Sequence, residues 1–514
     1  MEINFSMKLP LFFLAILLCA GAYRAGAQDI TYSEVERADS RNMNFEILGN
    51  FSGNFPIYKD LYKRQELTIY DNNMAIKQEI RLDFISDKTS NIDFITYPDY
   101  FIMVWQYEKG NTTFCKAARM TGDGKLIGEV AELDSTRTGI FTAKTTYDIA
   151  RSEDKKKILV YKIRSKSDEY DLVMKVYDQN LSLLDSSGKI LSYNDNRESF
   201  SDLQIDNDGN IIFSKVKQNS RPEYVNTLDI NLVKPKNDTL FTVNIPLEKK
   251  QLLHDPFIKI DNVNRRYIIN SFSYQKGGDN IDGIFTAVIN RDGLKISQQM
   301  INIFDDSLRE KLSGKPDWRT AYNNFSLRNI ILEKDGGFIA VSEEYFRQRR
   351  YGSSYDGFNP GGFNRGYYNS SSDYYLYNRG SYGYYRPFND SYSRDIIYNY
   401  NDIINFSFSK DLRLKWNSVV NKTTSDLEND NYLSFLNMNS GGEIHFLFLQ
   451  KDNNKEILSD HALQPDGSVI RYATLKGREA GYDFMPRLGR QTGLRQVIIP
   501  CIVRNNMAFA KIDF

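Results

Sequence analysis

Residues that commonly bind metals or form disulfides are scarce in this sequence. Its 514 residues include three cysteines and three histidines. A zinc site needs three or four ligands close together, and no pair among His254, His445 and His461 has metal-ligand spacing. The G-x-S-x-G, H-E-x-x-H and phosphate-loop motifs of common enzyme families are also missing. We therefore expect no metal and no cofactor, and the sequence identifies no catalytic residue.

An excess of charge of either sign is also missing. Lys and Arg total 66, and Asp and Glu total 66, so the formal net charge is zero. Without a positive surplus there is no general attraction to the phosphates of a nucleic acid, and we expect no nucleic-acid partner. Apolar residues make up 41% and charged residues 26% of the chain. These values are typical of folded globular proteins.

Long apolar runs are absent apart from one near the N-terminus. Residues 9–22 carry no charge and follow Lys8. The run is shorter than the roughly 20 residues of a membrane-spanning helix, and Ala25 and Ala27 match the small residues of a signal-peptidase site. We predict that residues 1–27 are a signal peptide, cleaved before Gln28 and leaving no integral membrane segment. The protein would then be periplasmic or associated with the outer membrane; an uncleaved anchor is the alternative.

One local pattern recurs along the chain, in which two strand-like runs flank a turn of Asp, Asn or Gly. Alternation of apolar and polar residues, broken by residues that tolerate positive φ, is typical of β-hairpins. Successive turns are 52 or 55 residues apart, or about twice that distance where one copy is weak or an insertion intervenes. A second hairpin, with turns at Gly209, Gly336 and Gly441, precedes these in several copies. The recurring turns contain Asp71, Asp123, Asp178, Asp292, Asp411 and Asp466.

Two hairpins in each unit of about 55 residues predict an all-β fold, a β-propeller with four-stranded blades over residues 28–514. We expect eight blades, with seven as the alternative. The last unit supplies three strands, and residues 29–36 (DITYSEVE) are predicted to add the fourth and close the ring. Two stacked β-sandwich domains are the competing architecture. The steady length of the unit favours the propeller.

Three segments resemble a group of uncharacterised secreted propeller-like proteins of Bacteroidetes. They are FITYPDYFIMVWQYEKGNTTFCKAARMTGDGKLIGE, DGGFIAVSEEYF and DIINFSFSKDLRLKWNS. The resemblance covers most of the chain after the signal peptide, and its motifs are turns and strand edges. It therefore implies an exported propeller and carries over no catalytic residue.

Residues 345–400 form an insertion within one unit and differ from the rest of the chain. The insertion holds 14 of the 34 tyrosines, seven glycines, seven arginines and no lysine. Low-complexity sequence of this kind lacks the aliphatic residues of a core, whereas Tyr and Arg can stack on sugars or peptides. A binding loop and an inert surface insertion both remain open. The candidate binding residues are Tyr367, Tyr368, Tyr374, Tyr375, Tyr377, Arg379, Tyr382, Tyr384 and Tyr385.

The function predicted from these features is that of a non-enzymatic exported propeller that binds an envelope protein or glycan. This prediction rests on analogy with other propellers, many of which are binding platforms. Two alternatives remain: a hydrolase or lyase acting on a polysaccharide, and a purely structural envelope component. For the enzymatic alternative, Glu343 and Glu344 are the best of several poor candidates, because they end a strand that should reach one face of the propeller. The sequence leaves the oligomeric state undetermined.

Overall fold

A computed structural model describes most of the chain. The described residues are 28–36, 43–61, 64–86, 88–137, 147–166, 169–192, 198–218, 224–237, 239–275, 281–305, 307–308, 324–349, 396–427, 430–452, 455–473 and 481–514. Their regular structure is β-strand apart from short helical turns, which include a 3-10 helix at Pro486–Leu488. The all-β prediction is confirmed. No helix among these residues has the length and apolar character needed to cross a membrane.

The strands fall into eight consecutive groups, which we call units 1 to 8. Unit 1 contains β2 (Asn44–Ile47), β3 (Phe55–Asp60), β4 (Gln65–Tyr70) and β5 (Ile76–Arg81). Unit 2 contains β6 (Thr89–Thr96), β7 (Tyr100–Lys109), β8 (Thr112–Thr121) and β9 (Leu126–Arg137). Unit 3 contains β10 (Asp148–Arg151), β11 (Lys157–Lys166), β12 (Glu169–Asp178) and β13 (Leu183–Ser192). Unit 4 contains β14 (Glu198–Phe200), β15 (Gln204–Ile205), β16 (Ile211–Gln218), β17 (Val225–Val233) and β18 (Leu240–Ile245).

The second half repeats this order. Unit 5 contains β19 (Gln251–Asp261), β20 (Arg266–Gln275), β21 (Gly283–Asn290) and β22 (Lys295–Ile303). Unit 6 contains β23 (Phe325–Leu332), β24 (Phe338–Arg349), β25 (Ile396–Phe408), β26 (Leu414–Val420) and β27 (Thr424–Leu427). Unit 7 contains β28 (Leu436–Asn439), β29 (Ile444–Asp452), β30 (Lys455–Leu463) and β31 (Val469–Arg471). Unit 8 contains β32 (Asp483–Phe484), β33 (Arg490–Gly493), β34 (Gln496–Val503), β35 (Asn506–Asp513) and the N-terminal β1 (Asp29–Tyr32).

Within each unit the strands are antiparallel and follow one another in chain order. Units 4 and 5 form one hydrogen-bonded sheet of nine strands, joined by the pairing of Val225 with Leu253. The sequence did not predict this link. Unit 8 is completed from the other end of the chain, because β1 pairs with β35 from Asp29 opposite Asp513 to Tyr32 opposite Ala510. The prediction that residues 29–36 supply the fourth strand of the last unit is therefore confirmed for β1.

Apolar side chains lie mainly between units, so each unit forms its core with its neighbours. Leu67 of unit 1 belongs to a cluster that also contains Phe94 of unit 2. Similar clusters join each later unit to the next as far as unit 8. Unit 8 then packs on unit 1, where the rings of Phe45 and Phe509 lie 5.4 Å apart. Removing this apolar surface from water is the main driving force for stacking the sheets.

The tight turns have the backbone geometry expected from the sequence. Gly209, Gly336 and Gly467 have φ values of 94°, 87° and 87°. Residues other than glycine rarely adopt such φ values. At Gly467 a Cβ would also lie 2.6 Å from the ring of Trp416. The recurring Asp residues have a clear role too: the Asp178 carboxylate accepts hydrogen bonds from the amides of Asn180 and Ser182, each at 2.8 Å.

The alternating strand directions give the molecule two different faces. Within each unit, the turn from the first to the second strand and the turn from the third to the fourth strand lie on one face, which we call the turn face. Connections from second to third strand and from one unit to the next lie on the opposite face, the connection face. On this face β22 ends at Ile303 and β23 begins at Phe325, and β24 and β25 flank the Tyr-rich insertion. Long connections are therefore concentrated on one side of the molecule.

The ends of the insertion belong to the sheet. In β24 and β25, Tyr345 pairs with Tyr400 and Arg349 with Ile396. The boundaries predicted from the sequence, 345–400, therefore include five strand residues at each end. The nine candidate binding residues between Tyr367 and Tyr385 lie outside the described residues.

Candidate active site

A group of polar side chains lies on the face of unit 7 that packs against unit 8. In β29 and β30, His445 is opposite Ala462, and Leu447 is opposite Asp460. Directly opposed residues of an antiparallel sheet point to the same face, as do residues two apart on one strand. His445 and Asp460 therefore point to the same side and approach each other diagonally. Leu447 on this side joins the apolar cluster between units 7 and 8.

The imidazole of His445 connects a hydroxyl to a carboxylate. Its Nδ1 lies 2.9 Å from Oδ1 of Asp460, and its Nε2 lies 3.2 Å from Oγ of Ser440. When Nδ1–H donates to the carboxylate, Nε2 is left as an acceptor for the Ser440 hydroxyl. Asp460 is fully buried and His445 is only 4% exposed, whereas Ser440 is half-buried in the turn between β28 and β29. The chain of hydrogen bonds thus runs from the interior to the surface.

Asp460 is held by more than the histidine. Its Oδ2 accepts a hydrogen bond of 3.1 Å from Nε2 of Gln28, which immediately precedes β1. Its backbone carbonyl accepts the amide of Tyr472 at 2.9 Å. Since Gln28 belongs to unit 8 and Asp460 to unit 7, pairing of the N-terminal strand with β35 also completes the surroundings of this carboxylate.

Aromatic rings confine the imidazole on the turn face. The Tyr472 ring is stacked on His445 with a centroid distance of 5.6 Å, and the Phe514 ring lies at the same distance but tilted. The Tyr472 hydroxyl donates to the Glu443 carboxylate at 3.0 Å. Burial, followed by this hydrogen bond to a carboxylate, raises the pKa of Tyr472 above its ordinary value. Glu443 Oε2 is also 3.4 Å from His445 Nε2. This ring nitrogen therefore has two neighbours, the Ser440 hydroxyl and the Glu443 carboxylate.

The Ser440 turn is fixed at its base and open at its tip. Asn439 exchanges two hydrogen bonds with the Gln491 side chain of unit 8, at 3.1 and 2.9 Å. The Ser440 hydroxyl also lies 3.3 Å from the Glu443 carbonyl oxygen, a second acceptor. Gly441 has a φ of 90°, and no atom lies within 4 Å of where a Cβ on Gly442 would stand. Ser440 itself is half-buried, so part of its surface meets solvent.

A hydroxyl, an imidazole and a buried carboxylate in this order can perform nucleophilic catalysis. The imidazole is placed to remove the proton of the hydroxyl, and the carboxylate holds the imidazole in the required tautomer. The arrangement is defined by geometry and not by the order of residues in the chain. Ser440, His445 and Asp460 meet these geometric requirements.

Sequence reasoning missed this site. In the sequence, His445 lies in the strand-like run GEIHFLFLQ, and nothing in that run indicates a carboxylate partner. Its partner Asp460 is 15 residues away, and the two come together only through the register of the β29–β30 hairpin. One sequence signal could have indicated the site: His445 and Asp460 are polar residues in two adjacent strand-like runs, and the hairpin places them on the same face.

Glu343 and Glu344 do not form an accessible acidic pair. Glu343 is completely buried, with one oxygen 2.8 Å from Lys422 Nζ and the other 3.0 Å from Arg328 Nη2. The Ser434 hydroxyl donates to the same carboxylate at 2.7 Å. Burial lowers the pKa of the Lys422 ammonium, an effect that the nearby Glu343 opposes. These carboxylates are therefore parts of the structure beneath the insertion.

The other two histidines lack a comparable arrangement. His254 is buried in β19, and its burial lowers its pKa to about 4. His461 points to the opposite face of unit 7, where its ring stacks on Phe448 at 5.0 Å. Within the described ranges, no group of three or more His, Cys, Asp or Glu side chains is arranged to hold a metal ion.

Comparisons with known proteins find only distant similarity, to solved structures. No family model and no curated protein matches the chain. Among solved structures it is similar to a prolyl endopeptidase, at 10% identity and a TM-score of 0.36 over 84% of this chain and 55% of the other. It is similar to the β-propeller domain of the Trilobed protease from Pyrococcus furiosus, at 8% identity and a TM-score of 0.36 over 84% and 98%. Oligopeptidase B from Leishmania major gives 10% identity and a TM-score of 0.32 over 83% and 54%.

The prediction of a non-enzymatic binding platform is wrong on this comparison. It rested on an analogy with propellers that only bind, whereas the similar structures include a prolyl endopeptidase and an oligopeptidase. The chain spans about half the length of those two proteins. At such low identity the likeness transfers no activity to this chain, so a function has to be argued from its own residues.

Proposed function

We propose that the chain is a serine-dependent hydrolase. Ser440 would be the nucleophile that attacks an ester or amide bond of the substrate. The observation that carries this proposal is the continuous contact from Ser440 Oγ to His445 Nε2 at 3.2 Å and from His445 Nδ1 to Asp460 at 2.9 Å. Both distances lie within the reach needed for proton transfer between a nucleophile and its base. Ser440 is half-buried in its turn, so its side chain is partly exposed to solvent.

In the first half of the reaction, Ser440 Oγ attacks the substrate carbonyl carbon while His445 Nε2 takes the hydroxyl proton. The bond from carbon to the leaving group then breaks, and His445 returns the proton to the departing alcohol or amine. In the second half, His445 removes a proton from water, and the water oxygen attacks the acyl carbon. The bond from this carbon to Ser440 Oγ then breaks, Ser440 Oγ takes the proton back from His445, and the acid is released. Asp460 stays ionised throughout and stabilises the protonated imidazole.

We propose that the eight units close into an eight-bladed propeller, with this site between units 7 and 8. Units 4 and 5 share a single pairing between β17 and β19 and have separate third and fourth strands, which supports two blades there. Arg490 supports closure, since its guanidinium donates to the Ile47 carbonyl at 2.6 Å and to the Thr96 hydroxyl at 3.1 Å. These contacts connect the inner strands of units 8, 1 and 2.

We also propose export with cleavage before Gln28, as the sequence predicts. Cleavage there would leave β1, which begins at Asp29, complete for pairing with β35. It would also retain the Gln28 side chain that contacts Asp460. The relation to secreted proteins of Bacteroidetes and the envelope protein or glycan partners remain predictions.

The hydrolase proposal is tested with a fluorophosphonate probe, which labels activated serines. Wild-type protein should be labelled at Ser440, and Ser440→Ala should not react. His445→Ala should label at least about a thousandfold more slowly, because the hydroxyl loses its base. The matched control is Ser468→Ala, which removes an exposed turn serine bonded to Asp466 at 2.6 Å and should label like wild type. Equal labelling of wild type and Ser440→Ala, or none of either, would overturn the proposal.

A further inference from the structure

Several exposed apolar side chains lie around the Ser440 turn. Of the ten large hydrophobic residues that are exposed in the described part of the chain, three are Ile470, Tyr472 and Leu494, which are 43%, 37% and 56% exposed. All three belong to units 7 and 8, the two units between which His445 and Asp460 lie. Single exposed hydrophobic residues are common and need no explanation, whereas a group of them beside a polar site indicates a binding surface.

Register places two of these side chains on the same face as the imidazole. Ile470 is opposite Ala462 in β30 and β31, and Ala462 is opposite His445 in β29. Directly opposed residues share a face, so Ile470 points to the same side as His445. Tyr472 follows two residues later and stacks on the imidazole at 5.6 Å. Together they form one apolar wall of the site.

The second wall comes from unit 8. Leu494 lies in the turn between β33 and β34, and its Cδ1 is 3.5 Å from where a Cβ on Gly441 would stand. Leu494 is therefore next to the residue that follows Ser440 in the chain. Phe514, 5.6 Å from His445 between ring centroids, continues this wall inward.

We propose that the site takes esters or amides whose acyl group is apolar, and that Leu494 determines this specificity. The proposal rests on the hydrolase function argued above. An alkyl chain bonded to the carbonyl under attack at Ser440 would extend between Leu494 and Ile470 and cover their exposed surfaces. The Glu443 carboxylate, 3.4 Å from His445 Nε2, would disfavour an acyl group that carries a negative charge.

The test uses the p-nitrophenyl esters of acetate, butyrate, hexanoate and octanoate with the full exported protein. Wild-type kcat/KM should rise with acyl length over the series. Leu494→Ser should lower it for octanoate by about three- to tenfold through KM while leaving acetate unchanged, because only a long chain reaches the missing side chain. Leu494→Met, which keeps an apolar surface, should retain the preference. Leu126→Ser, at a 42% exposed leucine on unit 2, is the control and should behave like wild type.

The outcomes separate this inference from the proposed function. Hydrolysis that depends on Ser440 but is equally fast for all four esters, or is unaffected by Leu494→Ser, overturns the specificity and leaves the hydrolase standing. Failure to hydrolyse any ester, together with no labelling at Ser440, overturns both. If Leu494→Ser unfolds at the same temperature as the wild-type protein, a change in its KM does not come from misfolding.

Discussion

The two faces of this molecule use buried charge in different ways. On the turn face, the Asp460 carboxylate meets an imidazole whose other nitrogen contacts the half-buried hydroxyl of Ser440. On the connection face, the Glu343 carboxylate meets Lys422 and Arg328 and is closed from solvent. Both carboxylates are completely buried, yet only the first is connected to a group that a substrate can reach. Burial and charge alone therefore do not mark a reactive site, and the path to solvent decides between the two.

The connection-face group extends beyond Glu343 and fixes the base of the insertion. The Asp430 carboxylate accepts hydrogen bonds from Arg487 at 2.6 and 3.0 Å and from the Tyr400 hydroxyl at 2.9 Å. Tyr400 pairs with Tyr345 across the two strands that flank the insertion. Units 6, 7 and 8 thus meet at charged side chains directly below the insertion. We interpret this group as structural.

Replacing Lys422 by Met should have the largest effect on stability. The ammonium is fully buried, contacts Glu343 at 2.8 Å and donates to the Tyr400 carbonyl at 2.9 Å. Removing one partner of a buried ion pair typically costs about 3–5 kcal/mol, and we expect the lower end of this range because Arg328 still contacts Glu343. Chemical denaturation measures the loss.

The control for Lys422→Met is Lys410→Met, at an exposed lysine in the turn before β26, which should leave stability unchanged. The double variant Lys422→Met with Glu343→Gln should be no more stable than Lys422→Met, because it leaves the buried Arg328 guanidinium without the Glu343 carboxylate. Labelling of Ser440 in the folded protein should be the same in all variants. An unchanged denaturation midpoint for Lys422→Met would show that the buried pair does not stabilise the connection face.

One buried and one partly buried histidine extend the comparison of the faces to pH. His254 lies near the start of β19, towards the connection face, and burial lowers its pKa from 6.5 to about 4. The unfolded chain therefore binds a proton more readily between these values. The free energy of unfolding should fall by about 3 kcal/mol as the pH decreases from 6.5 to 4, and no further below that. Denaturation at several pH values, compared with His254→Gln, isolates this contribution.

The variant His254→Gln should unfold with a weaker dependence on pH across this window. His461→Gln provides a comparison with a less buried histidine. Burial lowers the pKa of His461 as well, but its side chain is only partly buried. Its effect should have the same sign and be smaller. Parallel pH profiles for wild type and His254→Gln would mean that His254 titrates alike in the folded and unfolded chains.

Local features of the fold were predictable from the sequence because they depend on residues close together in the chain. The positive φ at Gly209, Gly336 and Gly467 follows from the chemistry of tight turns. The N-terminal strand was predicted because the last unit was one strand short, and it pairs as expected in β1. The pairing of Val225 with Leu253, which merges units 4 and 5, follows from no local pattern.

The site was not predictable in the same way. His445 and Asp460 come from two strands of one unit, whereas Gln28 comes from the segment directly before β1. Their approach depends on hairpin register and on the packing of unit 7 against unit 8, neither of which leaves a motif. Glu343 does not end its strand as predicted, because β24 continues to Arg349. The cations that neighbour its carboxylate come from β23 and from the segment after β26.

Deleting residues 350–395 should have the smallest effect, and it tests whether the two faces are independent. Arg349 and Ile396 are directly paired, so an Asn-Gly turn can join them without disturbing β24 or β25. The loop-closure cost changes by only about 0.6 kcal/mol for each halving of loop length. We expect a melting temperature close to that of wild type and unchanged labelling at Ser440, which lies on the turn face. As a matched control, moving the same turn to replace residues 345–400 would remove the Tyr345–Tyr400 pair and the Asp430 contact, and should destabilise the protein. Slower labelling at Ser440 after the first deletion, with folding intact, would show that the insertion reaches the site and that the faces are coupled.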